Sequence, residues 1–226
     1  MTARCLAREL PSDPTLLNVR YEHSHLARSD DYRDTLEEWT VSVTEWEEED
    51  EDGPRIGELS LFRLRSSTGY SRTMAADERS GELLSIAEAV FDGNDAYNRA
   101  FERAVDMPVG DLLILDRVWL EKAYRGFGLG PIFAMEAVRR LSGGCCAVAV
   151  EPGVSEWPDG DPSLLSDAEN DEATAKIAAL WESIGFTHFK EVVYLLDAAL
   201  DDSAILNERR KELAALGQEY RAATRG

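Results

Sequence analysis

The chain contains 226 residues, of which 44% are hydrophobic and 30% are charged, as expected for one globular domain of ordinary size. Its 44 acidic and 24 basic residues give a formal net charge of −20, which repels nucleic-acid phosphates and anionic lipid. We therefore expect neither nucleic acid nor a membrane as a partner. The first residues lack the apolar core of a signal peptide, and no apolar run approaches the ~20 residues of a membrane span. A cytoplasmic protein is expected.

The first predicted elements are a strand over Thr15 to Leu26 and a β-hairpin that follows it. The densest acidic stretch, EWEEEDEDGPRIGE, lies between two segments with alternating apolar residues, Trp39 to Val43 and Leu59 to Leu61. Such alternation on both sides of a polar stretch predicts paired strands with a charged tip. The tip is interpreted as a solvated loop, and a docking site for a cationic partner is the alternative.

Helical and strand patterns alternate through the rest of the chain. Apolar spacing from Ser80 to Val105, interrupted at Asp92, predicts two short helices before the strongest strand, Leu112 to Leu120. The later predicted elements are a helix over Pro131 to Leu141, a strand over Cys145 to Glu151, a helix over Glu172 to Ile184, and strands over Thr187 to Phe189 and Val192 to Leu196.

A final helix is expected after Asp201, Asp202 and Ser203, whose side chains suit a helix N-terminus. Its apolar positions recur near heptad spacing at Leu206, Leu213, Leu216 and Tyr220. Two heptads are too few to indicate a coiled coil. We favour packing of this helix on its own domain, and packing on a second copy in a homodimer is the alternative.

The cysteines and histidines predict neither a disulfide framework nor a metal site. The chain has three cysteines, and the neighbours Cys145 and Cys146 lie in an apolar run where both are expected to be small core residues. His23 and His25 share one face of the first strand, but no third ligand is near them in sequence. We expect no metal cofactor.

The most informative segment is Arg125-Gly126-Phe127-Gly128-Leu129-Gly130, which joins the strand ending at Leu120 to a helix expected to begin at Pro131. A missing N–H costs nothing at the first helical position. Glycines at such a turn let backbone N–H groups approach a phosphate, and the helix N-terminus adds a partial positive charge. The segment indicates a pyrophosphate site, with an ordinary tight turn as the alternative.

Two other phosphate-binding motifs fit this segment less well. A Walker A loop needs Lys followed by Ser or Thr after the glycines, and neither follows here. A dinucleotide fingerprint needs a third glycine where Pro131 stands, although Glu151 lies about 20 residues on, where an acid could meet a ribose. A nucleotide-dependent oxidoreductase stays open as an alternative.

The segment resembles the acyl-CoA motif (Q/R)-x-x-G-x-(G/A) of the GNAT superfamily of N-acetyltransferases, matched by Arg125, Gly128 and Gly130. The segment from Leu180 to Phe186, followed by two strands, is similar to a sequence motif that occurs later in the chains of that family. The resemblance implies an α/β fold with a mixed, mostly antiparallel sheet flanked by helices, here with a helical insertion before the central strand and a C-terminal helix. Residues 1–200 would form the acyltransferase domain, with the insertion at 66–108, and residues 201–226 a C-terminal extension.

The resemblance implies acetyl-CoA as the co-substrate and direct attack on its thioester by a primary amine of a small molecule or peptide. Backbone N–H groups of the glycine turn would hold the pyrophosphate, and the strand would bond the pantetheine arm. The residues implied to bind CoA are Val118, Leu120, Arg125, Gly126, Phe127, Gly128, Leu129, Gly130 and Trp181. The acidic surface favours a cationic acceptor.

Many GNAT relatives carry an acid on the central strand, and Asp116 stands at that position, where burial would raise its pKa and suit it to act as a base. A buried structural carboxylate is the alternative. Trp181 replaces the tyrosine that often serves as the acid, and an indole N–H does not release its proton at working pH. The remaining candidates are Tyr194, Ser183 and Tyr124, besides water and the departing ammonium. A noncatalytic acyl-CoA-binding or interaction protein therefore stays open.

The acceptor side should differ from that of most GNAT domains, which place two helices between their first two strands. Here only a short linker separates Leu26 from Trp39. We therefore expect the helical pair at Ser80 to Val105, with the loop Ser66 to Asp77, to cover the acceptor side. The long loop Pro152 to Asn170 is a second candidate wall, because long loops in compact domains are often binding loops.

Overall fold

The computed structural model describes residues 6–27, 32–46, 53–154, 166–200 and 203–224. The strands in these ranges are β1 Asn18–Glu22, β2 Leu36–Thr44, β3 Arg55–Leu64, β4 Asp111–Leu120, β5 Cys145–Val150, β6 Thr187–Lys190 and β7 Val193–Asp197. The α-helices are α1 Arg72–Asp77, α2 Gly81–Val90, α3 Phe101–Ala104, α4 Leu129–Leu141, α5 Asp167–Glu182 and α6 Ser203–Thr224. The strands form one sheet in the order β1-β2-β3-β4-β5-β7-β6, in which β4 and β5 are parallel and the other described pairs are antiparallel.

This architecture confirms the predicted α/β fold, a mostly antiparallel sheet flanked by helices, with helices before β4 and a C-terminal helix. The hairpin is also confirmed, because β2 and β3 pair along their lengths; its tip, residues 47–52, lies outside the described residues. The segment Ser66 to Asp77 is not only a loop, since it contains α1, whose N-cap Ser71 accepts a hydrogen bond from the N–H of Met74. The division at residue 200 stays a prediction.

The core lies on both faces of β4. Leu113 and Leu115 pack into a cluster with side chains of α4, α5 and α6, whereas Leu112 and Ile114 pack into a second cluster with α1, α2 and α3. None of the four side chains is accessible to solvent. Burial on both faces explains why this strand is continuously apolar in sequence, where a strand with one solvated face would alternate.

Two helices begin earlier than the sequence predicts. Helix α4 begins at Leu129, so Pro131 stands at its third position and not its first; proline is tolerated there because first-turn N–H groups have no intrahelical partner. Helix α5 begins at Asp167, where Ser166 and Glu169 form a reciprocal capping box. The predicted start at Glu172 was wrong, because the polar first turn carries no apolar period.

The two described cysteines are packed on β5 as predicted. Cys146 is buried and Cys145 is partly buried, and burial raises the pKa of the Cys145 thiol to about 12. Within the described residues no three His, Cys, Asp or Glu side chains are placed to hold a metal ion. The helices of the described ranges include none with the length and apolar character needed to cross a membrane.

Helix α6 packs on its own domain, against α4 and the N-terminal segment. Its Arg210 Nε lies 2.6 Å from Glu136 Oε1 on α4, and its Arg221 Nη1 lies 2.5 Å from Asp13 Oδ2. Gly217 is buried between these contacts. A Cβ added there would stand 2.5 Å from Thr15 Cγ2 and 2.9 Å from Asp13 Oδ1, so only glycine allows this approach.

We expect Gly217→Val to lower the free energy of unfolding by about 1–3 kcal/mol, because the added side chain overlaps the N-terminal segment. Urea unfolding followed by circular dichroism measures the change. Ala214→Val, at an exposed position of the same helix, is the control and should have a smaller effect. Equal stability of the two variants would contradict close docking of α6 at Gly217.

Candidate active site

A glycine turn carries the chain from the end of β4 into α4. Gly126 and Gly128 have φ angles of 84° and 78°, in the left-handed region that glycine adopts without strain. Arg125 Nε donates a hydrogen bond to Leu120 O at 2.6 Å and so holds the turn against the strand end. Gly128 is the N-cap of α4 and has no side chain to cap the helix. The first turn of α4 thus combines backbone donors with the positive end of the helix dipole.

A cavity of about 570 Å³ lies between this turn, the end of β4 and α5, and we call it the turn cavity. It is lined by Leu115, Asp116, Arg117, Val118, Trp119, Leu120, Tyr124, Arg125, Gly126, Gly128, Leu129, Gly130, Pro131, Val150, Glu151, Gly153, Val154, Ile177, Leu180 and Trp181. The structure therefore brings together all of the predicted CoA-binding residues but one. Phe127 packs instead against the core cluster beneath α4.

The turn cavity opens where the parallel strands part. The β4–β5 ladder ends at the pair Leu115 and Val150, and β4 continues along the cavity to Leu120. In the β3–β4 ladder Ser60 pairs with Arg117 and Leu61 with Leu115, so Asp116 is the extra residue of a β-bulge. Asp116 and Glu151 thus directly follow the last pair of the β4–β5 ladder.

A second cavity of about 410 Å³ lies on the side of α2, and we call it the helix cavity. It is lined by Ser60, Phe62, Arg79, Ser80, Glu82, Leu83, Ile86, Leu115, Asp116, Arg117, Glu151, Gly153 and Val154. The two cavities share six lining residues, Leu115 to Arg117, Glu151, Gly153 and Val154. They meet at this junction, which contains both carboxylates.

The predicted acceptor walls are found in part. Of the predicted helical pair, α2 lines the helix cavity, and no described residue of Ser66 to Asp77 does. Gly153 and Val154 bring the start of the long loop to both cavities, while residues 155–165 of that loop lie outside the described residues.

The environment of the junction raises the pKa of both carboxyls. For Asp116 burial is the largest cause; the charges of Glu82 and Glu38 add to it, and those of Arg117 and Arg79 oppose it. Burial is also the main cause for Glu151; the charge of Glu82 adds to it, and a hydrogen bond from the Ser85 side chain opposes it. Glu151 Oε2 is shielded from solvent and accepts no hydrogen bond within the described residues. The sequence analysis did not predict that Glu151 lies at the junction beside Asp116, although its position directly after a buried strand could have indicated this.

The aromatic residues of the turn cavity are held by the core. Trp181 is 7% exposed, and its ring centre lies 6.1 Å from that of Phe186. The Tyr124 hydroxyl donates to Glu45 Oε1 and shares a hydrogen bond of 2.8 Å with Ser12 Oγ. Burial and the bond to Glu45 raise the pKa of Tyr124 to about 12. The phenol is therefore engaged away from the junction.

The other two predicted acid candidates lie outside both described cavities. Ser183 follows α5, is exposed, and donates a hydrogen bond to Leu180 O at 2.7 Å. Tyr194 pairs with Val150 across β7 and β5, and its ring meets that of His188 edge to face at 5.2 Å. Their assignment as acids stays a prediction.

No family model and no curated protein matches the chain. The chain is similar to a tyrosine-to-phenylalanine mutant of KacT (12% identity, 78% of each chain, TM-score 0.39). It is also similar to KacTA in a DNA complex (11%, 86% of this chain and 99% of that chain, TM-score 0.39) and to AtaT complexed with acetyl-methionyl-tRNAfMet (10%, 80% and 95%, TM-score 0.39). The sheet order itself shows the mixed, mostly antiparallel sheet flanked by helices that the sequence predicts.

Folding raises the pKa of Asp116 above its ordinary value of 3.8, so the folded protein binds more protons at this site than the unfolded chain does. The contribution of this carboxyl to stability therefore falls as the pH rises from 3.8 through the folded pKa. We expect Asp116→Asn to raise the free energy of unfolding at pH 7, with a gain that shrinks toward pH 3.8. Urea unfolding across this range tests it.

Asp106→Asn, which removes one carboxyl from an exposed bend, is the control for this measurement and should change the free energy of unfolding at pH 7 less than Asp116→Asn does. A destabilised Asp116→Asn at pH 7 would indicate that the carboxylate is a structural hydrogen-bond acceptor.

Proposed function

We propose that the protein is an acyl-CoA-dependent N-acetyltransferase that transfers an acetyl group to a primary amine. The observation that carries the proposal is the meeting of the turn cavity and the helix cavity at Asp116, with the glycine turn at the far end of the first. Two substrates can approach one carboxylate from opposite sides in this arrangement. A volume of about 410 Å³ suits a small molecule or the end of a peptide as the acceptor.

The residues of the turn cavity fit CoA. A Cβ built on Gly128 meets no atom within 4 Å, so the glycine leaves open space before the first turn of α4, where backbone N–H groups suit a pyrophosphate. The β4 segment from Val118 to Leu120 offers an extended wall for the pantetheine arm, and Trp181 and Leu180 of α5 offer an apolar one. The thioester that CoA supplies is an acyl group activated toward amines.

Asp116 is proposed as the base. An aliphatic amine enters as an ammonium ion at neutral pH and must lose a proton before its nitrogen can bond to the acyl carbon as the carbon–sulfur bond breaks. A carboxyl whose pKa is raised by burial accepts that proton more readily than an exposed one. The attacking nitrogen becomes positively charged as it bonds to the acyl carbon and must lose a second proton to form the amide. Tyr124 is bonded to Glu45 and Trp181 has no acidic proton, so the proton for the leaving thiolate comes from water or from this nitrogen.

A second candidate function is noncatalytic acyl-CoA binding on the same fold. Trp181 favours it, because the buried indole occupies the wall of the turn cavity where the resemblance leads one to expect the phenol of an acid. Binding would then use the same glycine turn, and the helix cavity would not lead to turnover.

Acetyl-CoA at about 100 times its dissociation constant should stabilise the protein by roughly 2.7 kcal/mol. We expect Gly128→Val to abolish this gain, because its side chain would project into the space before α4. Gly69→Val is a matched control, since Gly69 has a similar φ of 84°, open space around its Cβ and no place in the turn cavity. Thermal unfolding with acetyl-CoA, CoA and NAD measures the effect; stabilisation by NAD alone would favour the oxidoreductase alternative.

Asp116→Asn should lower kcat by about 10²–10⁴-fold while leaving stabilisation by acetyl-CoA unchanged. The wild-type rate should fall below the raised pKa of Asp116 as the base becomes protonated, and the variant should lose this dependence. Release of free thiol from acetyl-CoA over a panel of primary amines measures both. Acetyl-CoA binding without turnover of any amine would favour the noncatalytic candidate.

A further inference from the structure

The walls of the helix cavity carry more negative than positive charge. Its ionisable side chains are those of Glu82, Asp116, Glu151, Arg79 and Arg117. Arg79 is already paired, because its Nη2 lies 2.9 Å from Glu38 Oε1 and its guanidinium lies 5.1 Å from the ring centre of Phe62. Three carboxyl groups and Arg117 then remain, so the net charge that faces a ligand is negative.

The carboxylates stand at two places in this cavity. Asp116 and Glu151 line both cavities at the junction, whereas Glu82, in the first turn of α2, lines the helix cavity and not the turn cavity. Glu82 is close enough for its charge to act on both of the others. Like charges that lie close together repel one another, and a cation bound between them relieves that repulsion.

Glu151 has a further need for a donor. A hydrogen bond from the Ser85 side chain lowers the pKa of this carboxyl, but its Oε2 is shielded from solvent and has no hydrogen-bond partner within the described residues. A buried acceptor without a donor is costly, and an ammonium group at the junction has three N–H donors to offer. This observation is independent of the number of acids around the cavity and indicates a cationic ligand.

We propose that the helix cavity selects an acceptor with two cationic nitrogens, the reactive one held at the junction by Glu151 and the second one held by Glu82 on α2. The proposal rests on the transferase function, in which Asp116 takes the proton of the reactive nitrogen. Glu151 and Glu82 are then specificity-determining residues. An amine with a distal carboxylate would be repelled by Glu82, and a monoamine would leave Glu82 without a partner.

Three amines with the same carbon chain separate these cases: 1,4-diaminobutane, butylamine and 4-aminobutyrate. We expect the wild-type protein to prefer the diamine over butylamine in kcat/KM by about tenfold or more, and 4-aminobutyrate to be the poorest substrate. Glu82→Gln should remove most of that preference, because it should raise KM for the diamine much more than KM for butylamine. Glu151→Gln should raise KM for both amines. Glu88→Gln, at an exposed site of α2 outside the cavity, is the matched control.

Calorimetric titration of the protein with 1,4-diaminobutane provides a readout without turnover. Wild-type binding that weakens about tenfold in Glu82→Gln and is unchanged in Glu88→Gln would support the proposal. An unchanged diamine preference in Glu82→Gln would overturn it, while transfer to butylamine would leave the proposed function standing. If the wild-type protein neither bound acetyl-CoA nor used it as a substrate, the proposed function would be wrong. If the wild-type protein did not bind 1,4-diaminobutane, the proposal of a diamine acceptor would be wrong, whatever the outcome with acetyl-CoA. Because Glu82 is exposed, its variant is expected to fold.

Discussion

The site depends on the place where β4 separates from β5. The ladder ends at Leu115 and Val150, and the bulge at Asp116 bends β4 just beyond this point. Beyond this point β4 lines the turn cavity as far as Leu120, and the junction of the two cavities lies where the two strands separate. The separation of the strands therefore determines both where a ligand can lie and which side chains it meets.

The separation is held in place by the core beneath it. The apolar run from Leu112 to Leu115 is buried on both faces of the sheet, so a shift in register would move four packed side chains at once. At the far end of β4, the bond from Arg125 to Leu120 O fixes the glycine turn, and the Tyr124 hydroxyl bonds to Glu45 on the chain that follows β2. Rigid elements thus bound the turn cavity at both ends, as binding geometry requires.

The sequence was sufficient for those parts of the site that are contiguous. The turn from Arg125 to Gly130 was predicted because glycine spacing, a preceding strand and a following helix lie within one segment. The bulge at Asp116 was not predicted, because it exists only in the pairing of β4 with β3. Glu151 follows β5 and Glu82 lies on α2, and only the folded chain brings them to one cavity with Asp116. Pro131 misled the prediction of the start of α4, since proline is tolerated at any first-turn position.

The direction of the pKa shift distinguishes carboxyl groups that stabilise the fold from those that line the junction. Burial alone would raise the pKa of Asp95, but hydrogen bonds from the backbone N–H groups of Arg72 and Thr73 lower it, as expected of an acid that stabilises the fold. Among the described carboxyls with a clear shift, the pKa is raised only at Asp116 and Glu151, the two that flank the junction. Burial of these two carboxylates lowers the stability of the fold, and no described hydrogen bond or ion pair outweighs that cost. Groups with such perturbed pKa values cluster at binding and catalytic sites. The junction thus differs from a structural ion-pair network. Asp95 is stabilised by its hydrogen-bond donors, and at Asp116 and Glu151 a bound ammonium group would supply the equivalent stabilisation.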